Sequence, residues 1–161
     1  MTFFLIFITT FCFMEFWAWF AHRYIMHGFL WFLHRDHHQK ERGRGFFERN
    51  DWFFMIFATP GIACLIFWKL YGDTNLLAIG LGITAYGAAY FLLHDVFIHQ
   101  RFKWFKRSNH PYLLAIRRAH IMHHKHLEKT DGESFGMLVV SWEYFKAAFN
   151  KKQHSREIGA K

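Results

Sequence analysis

Ten of the 13 histidines fall into four clusters. His22-x4-His27 is followed by His34-x2-His37-His38, and the same pair of spacings returns as His94-x4-His99 and His120-x2-His123-His124. Imidazole is a ligand for iron, zinc, copper and nickel. The His-x2-His-His spacing sets residues i, i+3 and i+4 on one helical face, which predicts three converging ring nitrogens. The His-x4-His spacing does not. Five residues turn an ideal α-helix through about 500°, leaving the two rings roughly 140° apart. The rings can share a site only if the helix ends or distorts between them. Both such motifs begin where an apolar block stops, which is where a helix leaving a membrane can unwind.

Ten imidazoles exceed the needs of one ion. Two ions with about five nitrogens each would leave room for water or oxygen, which predicts a dinuclear centre. Structural zinc sites usually include cysteine and take four ligands, and the iron sites built from two histidines and one carboxylate use fewer rings. The metal set is therefore His22, His27, His34, His37, His38, His94, His99, His120, His123 and His124. His110 and His154 read as surface rings. His126 lies close to the site without fitting either spacing. Three carboxylates can support the ligands from behind. Asp36 and Asp95 lie within the clusters, where each either orients a ring or faces solvent. Glu15 is seven residues before His22 and on its helix face. It either hydrogen-bonds a ligand ring or fills a polar pocket without a catalytic part.

The elements that hold these residues are apolar. The 161 residues allow one domain, with 22 Phe, 7 Trp and 53% apolar residues. A soluble domain of that size cannot bury so much aromatic surface. The apolar residues come in blocks, Thr2–Ala21, Trp52–Tyr71 and Leu76–Leu93, each about long enough to cross a bilayer as a helix. This predicts an all-α integral membrane protein with three to four transmembrane helices and a helical cap holding the histidines. Pro60-Gly61 is expected to kink the second block, and Tyr71–Asn75 to form a turn. Gly80, Thr84 and Ala88 give the third block a small-residue packing stripe.

Segments 22–50 and 94–136 carry the histidines. Gly43 and Gly45 mark a loop in the first, and Asn50 or Asp51 is the expected cap of the next helix. Pro111 opens a helix through His124, with Ser108 or Asn109 as its cap. Met137–Phe149 is too short to span and is expected to lie in the interface, and the basic tail 150–161 to fray. Cys12 and Cys64 read as buried thiols, neither paired nor metal-bound. The N-terminus lacks a cleavage signal and is expected to be retained.

Three crossings place 22–50 and 94–161 on the same side, and 19 of the 20 Lys and Arg lie there, Lys69 being the exception. The positive-inside rule makes that side cytoplasmic and the N-terminus external, as in a bacterial inner membrane. A net charge of +8 then belongs to a membrane surface and not to nucleic acid binding.

The stretches Ala21–Gly28, His34–His38, His94–Arg101 and Arg118–His124 resemble the membrane-bound non-haem di-iron hydroxylases and desaturases of the fatty acid hydroxylase superfamily. Together with Phe46–Asp51, Thr84–Gly87 and Ser134–Met137, they look most like the short bacterial-type β-carotene hydroxylases, over roughly Glu15 to Leu138. The resemblance implies that the ten histidines bind two iron ions. It implies O2-dependent hydroxylation of the β-ionone rings at C3 and C3′, giving β-cryptoxanthin and then zeaxanthin. Electrons would come from reduced ferredoxin and its reductase, and zinc can replace iron in purified protein. The same boxes also serve hydroxylases, ketolases and desaturases of other lipids. A membrane metal-binding or transport protein is a further alternative, though transport favours ligands at mid-membrane.

Overall fold

A computed structural model of the chain describes residues 1–39, 45–102, 104, 108–126 and 132–159, with side chains in the last helix as far as Asn150. All regular structure among these residues is helical. Helix α1 (Thr2–Phe20) runs directly into a π-helical segment, π1 (Ala21–Phe29), and a kink at Gly28 leads to the short α2 (Trp31–His38). Helix α3 (Asp51–Tyr71) returns antiparallel to α4 (Thr74–Phe91), which continues into a second π-helical segment, π2 (Leu92–Ile98). Helices α5 (Pro111–His123) and α6 (Trp142–Gly159) follow.

Three rods are long and apolar enough to cross a membrane: Thr2–Phe29, Asp51–Tyr71 and Thr74–Ile98. Their surfaces are those of lipid-facing helices. Met14 is the only buried residue of α1, while Phe4, Leu5, Phe54 and Leu70 stand at 54–67% exposure. In water that surface would cost about 25 cal/mol per Å2 of apolar area; in hydrocarbon it costs nothing. Cys12 lies on this exposed face and not in a core, and both cysteines are free.

Helix α4 packs against both α1 and α3, and glycines bring the backbones together. A Cβ at Gly80 would stand 2.7 Å from Leu65 Cδ2, one at Gly61 2.9 Å from Ile83 Cγ2, and one at Gly82 2.9 Å from the Phe7 carbonyl. The stripe expected at Gly80 is thus a packing seam, extended by Gly61 and Gly82. Helix α3 runs through Pro60 as one element. Next to the proline, the Thr59 hydroxyl donates to the Met55 carbonyl at 2.8 Å. Gly72 closes α3 in the left-handed conformation (φ 74°), and the Asp73 side chain caps α4 by accepting from the Asn75 N–H, so the expected turn is present.

Beyond the rods, Phe97, Ile98, Ile116 and Met137 form a small buried core that joins π2 to α5. Pro111 takes the first position of α5, but His110 is its cap residue, and Ser108 Oγ accepts the His110 N–H instead. Residues 136–140 are irregular, and α6 begins at Trp142. The tail does not fray at residue 150: α6 continues to Gly159, through lysine, glutamine, arginine and glutamate, which are good helix formers. Gly45 is irregular as expected, and Gly43 lies outside the described residues.

Candidate metal centre

Two of the three rods carry histidines at their ends, His22 and His27 on the first and His94 on the third, with His99 just beyond it. In π1 and π2 the backbone bond spans five residues, as in His99 N–H to the His94 carbonyl at 2.8 Å and Leu30 N–H to Ile25 at 3.0 Å. A π-turn closes on residue i+5, so it brings the two members of a His-x4-His pair onto one side. The His22 and His27 ring centroids are 5.1 Å apart, and those of His94 and His99 4.5 Å. The required distortion is therefore a change of helical pitch within a continuous rod, not an unwinding.

The ring nitrogens fall into two groups. His22, His27, His34, His38 and His123 form one, and His37, His94, His99 and His120 the other; within each, the ligand atoms lie within 4.8 Å of one another. His124 joins the second group through His120, Nε2 to Nε2 at 2.9 Å. The two groups are interlaced. Each takes one His-x4-His pair and the first and last members of one His-x2-His-His motif. Its remaining member is the middle histidine of the other motif: His123 in the first group, His37 in the second. The expectation that each triplet converges on a single point is thereby corrected. On α2 and α5 the ring at i+3 stands 5.4–5.8 Å from those at i and i+4 but belongs to the other group.

At least five of the described rings are held from behind through Nδ1. His22 donates to the Phe135 carbonyl at 2.9 Å, and His123 to that of Glu133 at 3.0 Å. His34 donates to Asn50 Oδ1 at 2.6 Å, His37 to Glu48 Oε2 at 3.0 Å, and His94 to Asp95 Oδ2 at 3.1 Å. With the proton on Nδ1, each Nε2 turns a lone pair toward its neighbours. The pairs His22–His34, His38–His34, His94–His37, His99–His120 and His27–His123 have Nε2 separations of 2.9–3.2 Å. Bare nitrogens that close repel unless a cation lies between them. Two nitrogens at a right angle about an ion ~2.1 Å away would be about 3.0 Å apart. The donor set therefore fits first-row transition metals.

Burial tunes the same groups. Desolvation, reinforced by neighbouring rings, pushes His37 and His120 well below the usual histidine range. Desolvation also lowers His34 and His38, and His123 falls to about 3. All are neutral at pH 7, the state a metal requires.

The supporting carboxylates do not all sit where the sequence suggests. Asp95 orients His94 and is itself held by Arg101 Nη1 at 2.8 Å. Asp36 does not reach a ring in its described hydrogen bonds; it accepts the Arg49 N–H at 2.7 Å and so shapes the turn into α3. Glu15 likewise bonds to no described histidine, but to Tyr86 and the backbone of residues 137–139. Asn50 and Glu48 are the ring-orienting residues that sequence reasoning missed. Asn50 had a reading as a helix cap, and its side chain makes no cap bond. Phe135 was missed too. Its ring lies 5.0–5.5 Å from those of His22, His27 and His123 and closes the first group from outside. His110 is exposed and belongs to neither group, His126 faces Glu133 at 3.9 Å, and the His154 side chain lies outside the described residues.

Between α1, α3 and α4 a cavity of about 370 Å3 runs down to the histidines. Met14, Phe53, Phe57 and Ile83 line its length, and His22 and His94, one from each group, lie at its polar end.

Fold and site together define a class: a helical protein with three membrane-crossing rods and a two-centred histidine site beside an apolar cavity. The chain belongs to the fatty acid hydroxylase family, whose profile matches residues 7–147. It is 40% identical to a protein named beta-carotene hydroxylase 2, chloroplastic, from Capsicum annuum, over 78% of this chain and 41% of that one. Proteins named beta-carotene hydroxylase from Pantoea ananas (38% identical, 87% of this chain, 78% of the relative) and Pseudescherichia vulneris (40%, 85% and 76%) match over more of their own length. The chain thus spans less than half of the plant relatives and about three quarters of the bacterial ones. No solved structure matches.

Proposed function

We propose that this chain is a membrane-bound, histidine-ligated di-iron monooxygenase acting on a carotenoid. It hydroxylates the β-ionone rings of β-carotene at C3 and C3′, giving β-cryptoxanthin and then zeaxanthin. The observation that carries this reading is the apolar cavity ending on one histidine from each group. Its volume lies in the range of small-molecule pockets, about 300–1,000 Å3, and suits one cyclic end of a long apolar molecule, the rest lying in the bilayer. The bacterial relatives bear the name beta-carotene hydroxylase over most of their length.

In this reading residues 1–161 work as one membrane-embedded domain. All ten motif histidines are ligands, five to each ion, with His124 completing the second set. When bound, the two iron ions supply reductive activation of O2, so that one oxygen atom enters a ring C–H bond and the other leaves as water at a cost of two electrons and two protons. The protein does the rest. Phe53, Phe57 and Ile83 hold the substrate ring against the polar end of the cavity and exclude water. Asn50, Glu48 and Asp95 fix the tautomers of His34, His37 and His94. The electrons come from reduced ferredoxin and its reductase, docked on the basic, cytoplasmic face of a bacterial inner membrane, with the N-terminus outside. Zinc can fill the site in purified protein, since it also takes imidazole.

Expression in bacteria that accumulate β-carotene, followed by pigment analysis, tests the proposal. Zeaxanthin and β-cryptoxanthin are expected. Unchanged β-carotene from cells holding folded, iron-loaded protein and a working electron donor would overturn the substrate and favour another lipid. An iron-loaded protein that consumes no O2 with any lipid would favour a non-enzymatic role.

A further inference from the structure

Glu15 sits within the first membrane rod, and its carboxylate binds a segment 122–124 residues away. Oε2 accepts the Tyr86 hydroxyl at 2.7 Å. Oε1 accepts three successive backbone N–H groups, from Met137 at 2.9 Å, Leu138 at 2.8 Å and Val139 at 3.0 Å. Successive amides aimed at one point form an anion-binding concavity. Gly136 makes the approach possible, because a Cβ there would lie 2.7 Å from Oε1.

The captured segment is the one that reaches over the first histidine group. Its Phe135 carbonyl holds His22 Nδ1, and its Glu133 carbonyl holds His123 Nδ1. Between those two carbonyls stands Ser134 with φ 57°, in the left-handed region that a residue with a Cβ seldom adopts. A backbone stays there only when its surroundings hold it. Here the two imidazoles hold one end and the Glu15 carboxylate the other.

We propose that Glu15 is a positioning residue for the first histidine group: it latches residues 136–139 onto α1 and α4, and so sets the carbonyls that fix the His22 and His123 rings. The inference rests on the reading of that group as a metal site. It separates hydrogen bonding from charge. In Glu15→Gln the amide oxygen can still accept the three N–H groups, and its NH2 can donate to the Tyr86 hydroxyl. Glu15→Leu removes the latch, and Gly136→Ala displaces the carboxylate from the other side.

The test uses the full chain in detergent. Hydrogen exchange of residues 137–139 is read in metal-free protein, and iron per chain with its Mössbauer signature after reconstitution. Glu15→Leu and Gly136→Ala should exchange at least about tenfold faster at Met137–Val139. Their iron content should fall from two toward one, with loss of the signature of a coupled pair. Glu15→Gln should stay within about twofold of the parent in exchange. Parent-like exchange and iron in both Glu15→Leu and Gly136→Ala would overturn the inference, as would a Glu15→Gln variant as impaired as Glu15→Leu. If Glu15→Leu does not fold, Gly136→Ala decides. If the parent itself takes up no iron, the metal reading fails, and the exchange measurement still decides the latch.

Discussion

A second set of atoms decides which nitrogen carries the proton on five of the clustered rings, and so which nitrogen each turns toward the proposed metal site. This has a pH consequence. The unfolded chain binds protons on its imidazoles from about pH 6.5 downward. In the folded, metal-free chain, burial puts His34, His37, His38 and His120 well below that range and His123 at about 3. Between those values the unfolded state holds more protons, so the stability contribution is fully present above about pH 6.5 and drains away as the pH falls. Acid should therefore unfold the protein before it protonates the folded site. On titration from about pH 7.5 to about 4, metal release should coincide with loss of helical circular dichroism; release in an earlier, separate step would contradict the burial described. The gathering of the histidines was legible in the sequence, because two spacings recur with their order intact. The orienting residues were not. Asn50 and Glu48 lie 16 and 11 residues from the rings they hold, and nothing in a linear pattern distinguishes an asparagine that caps a helix from one that accepts from an imidazole.

At the scale of elements, the rods and their order follow from apolar block length, and the turn at Gly72 from its composition. The π-segments follow only in part. The His-x4-His spacing demands a distortion, but the choice between unwinding and a wider helix rests on backbone hydrogen bonding that side-chain types do not encode. The glycines of the seam divide by what they meet. Gly82 faces the Phe7 carbonyl and Thr10 of α1, which cannot retreat, whereas nothing lies within 4 Å of a Cβ built at Gly87. Gly82→Ala should cost about 1–3 kcal/mol through overpacking, and Gly87→Ala close to none. Thermal unfolding of both variants in the same detergent would compare them, and equal midpoints would contradict the packing of α1 on α4.

At the scale of the whole molecule, the metal centre and the apolar cavity are separate constructions that meet at His22 and His94. Filling one should spare the other. Gly87 lines the cavity without supporting a histidine, so Gly87→Phe should keep the iron content of the parent while turnover of β-carotene falls by about tenfold or more, equivalent to about 1.4 kcal/mol on the barrier. Parent-like turnover would mean that the substrate lies elsewhere. The cavity was not legible in advance, because it is defined by the gap between three helices and not by any motif. The long reach of the site's contacts has a bearing on the order of assembly. His27 meets His123 across 96 positions, and His22 meets Phe135 across 113. All three rods emerge from the ribosome before α5 does, so the N-terminal histidines wait at the bilayer surface, incomplete, until the last third of the chain has been synthesised. Insertion into the membrane thus precedes closure of the centre, and a nascent chain stalled ahead of His120 is already anchored but holds neither full histidine group.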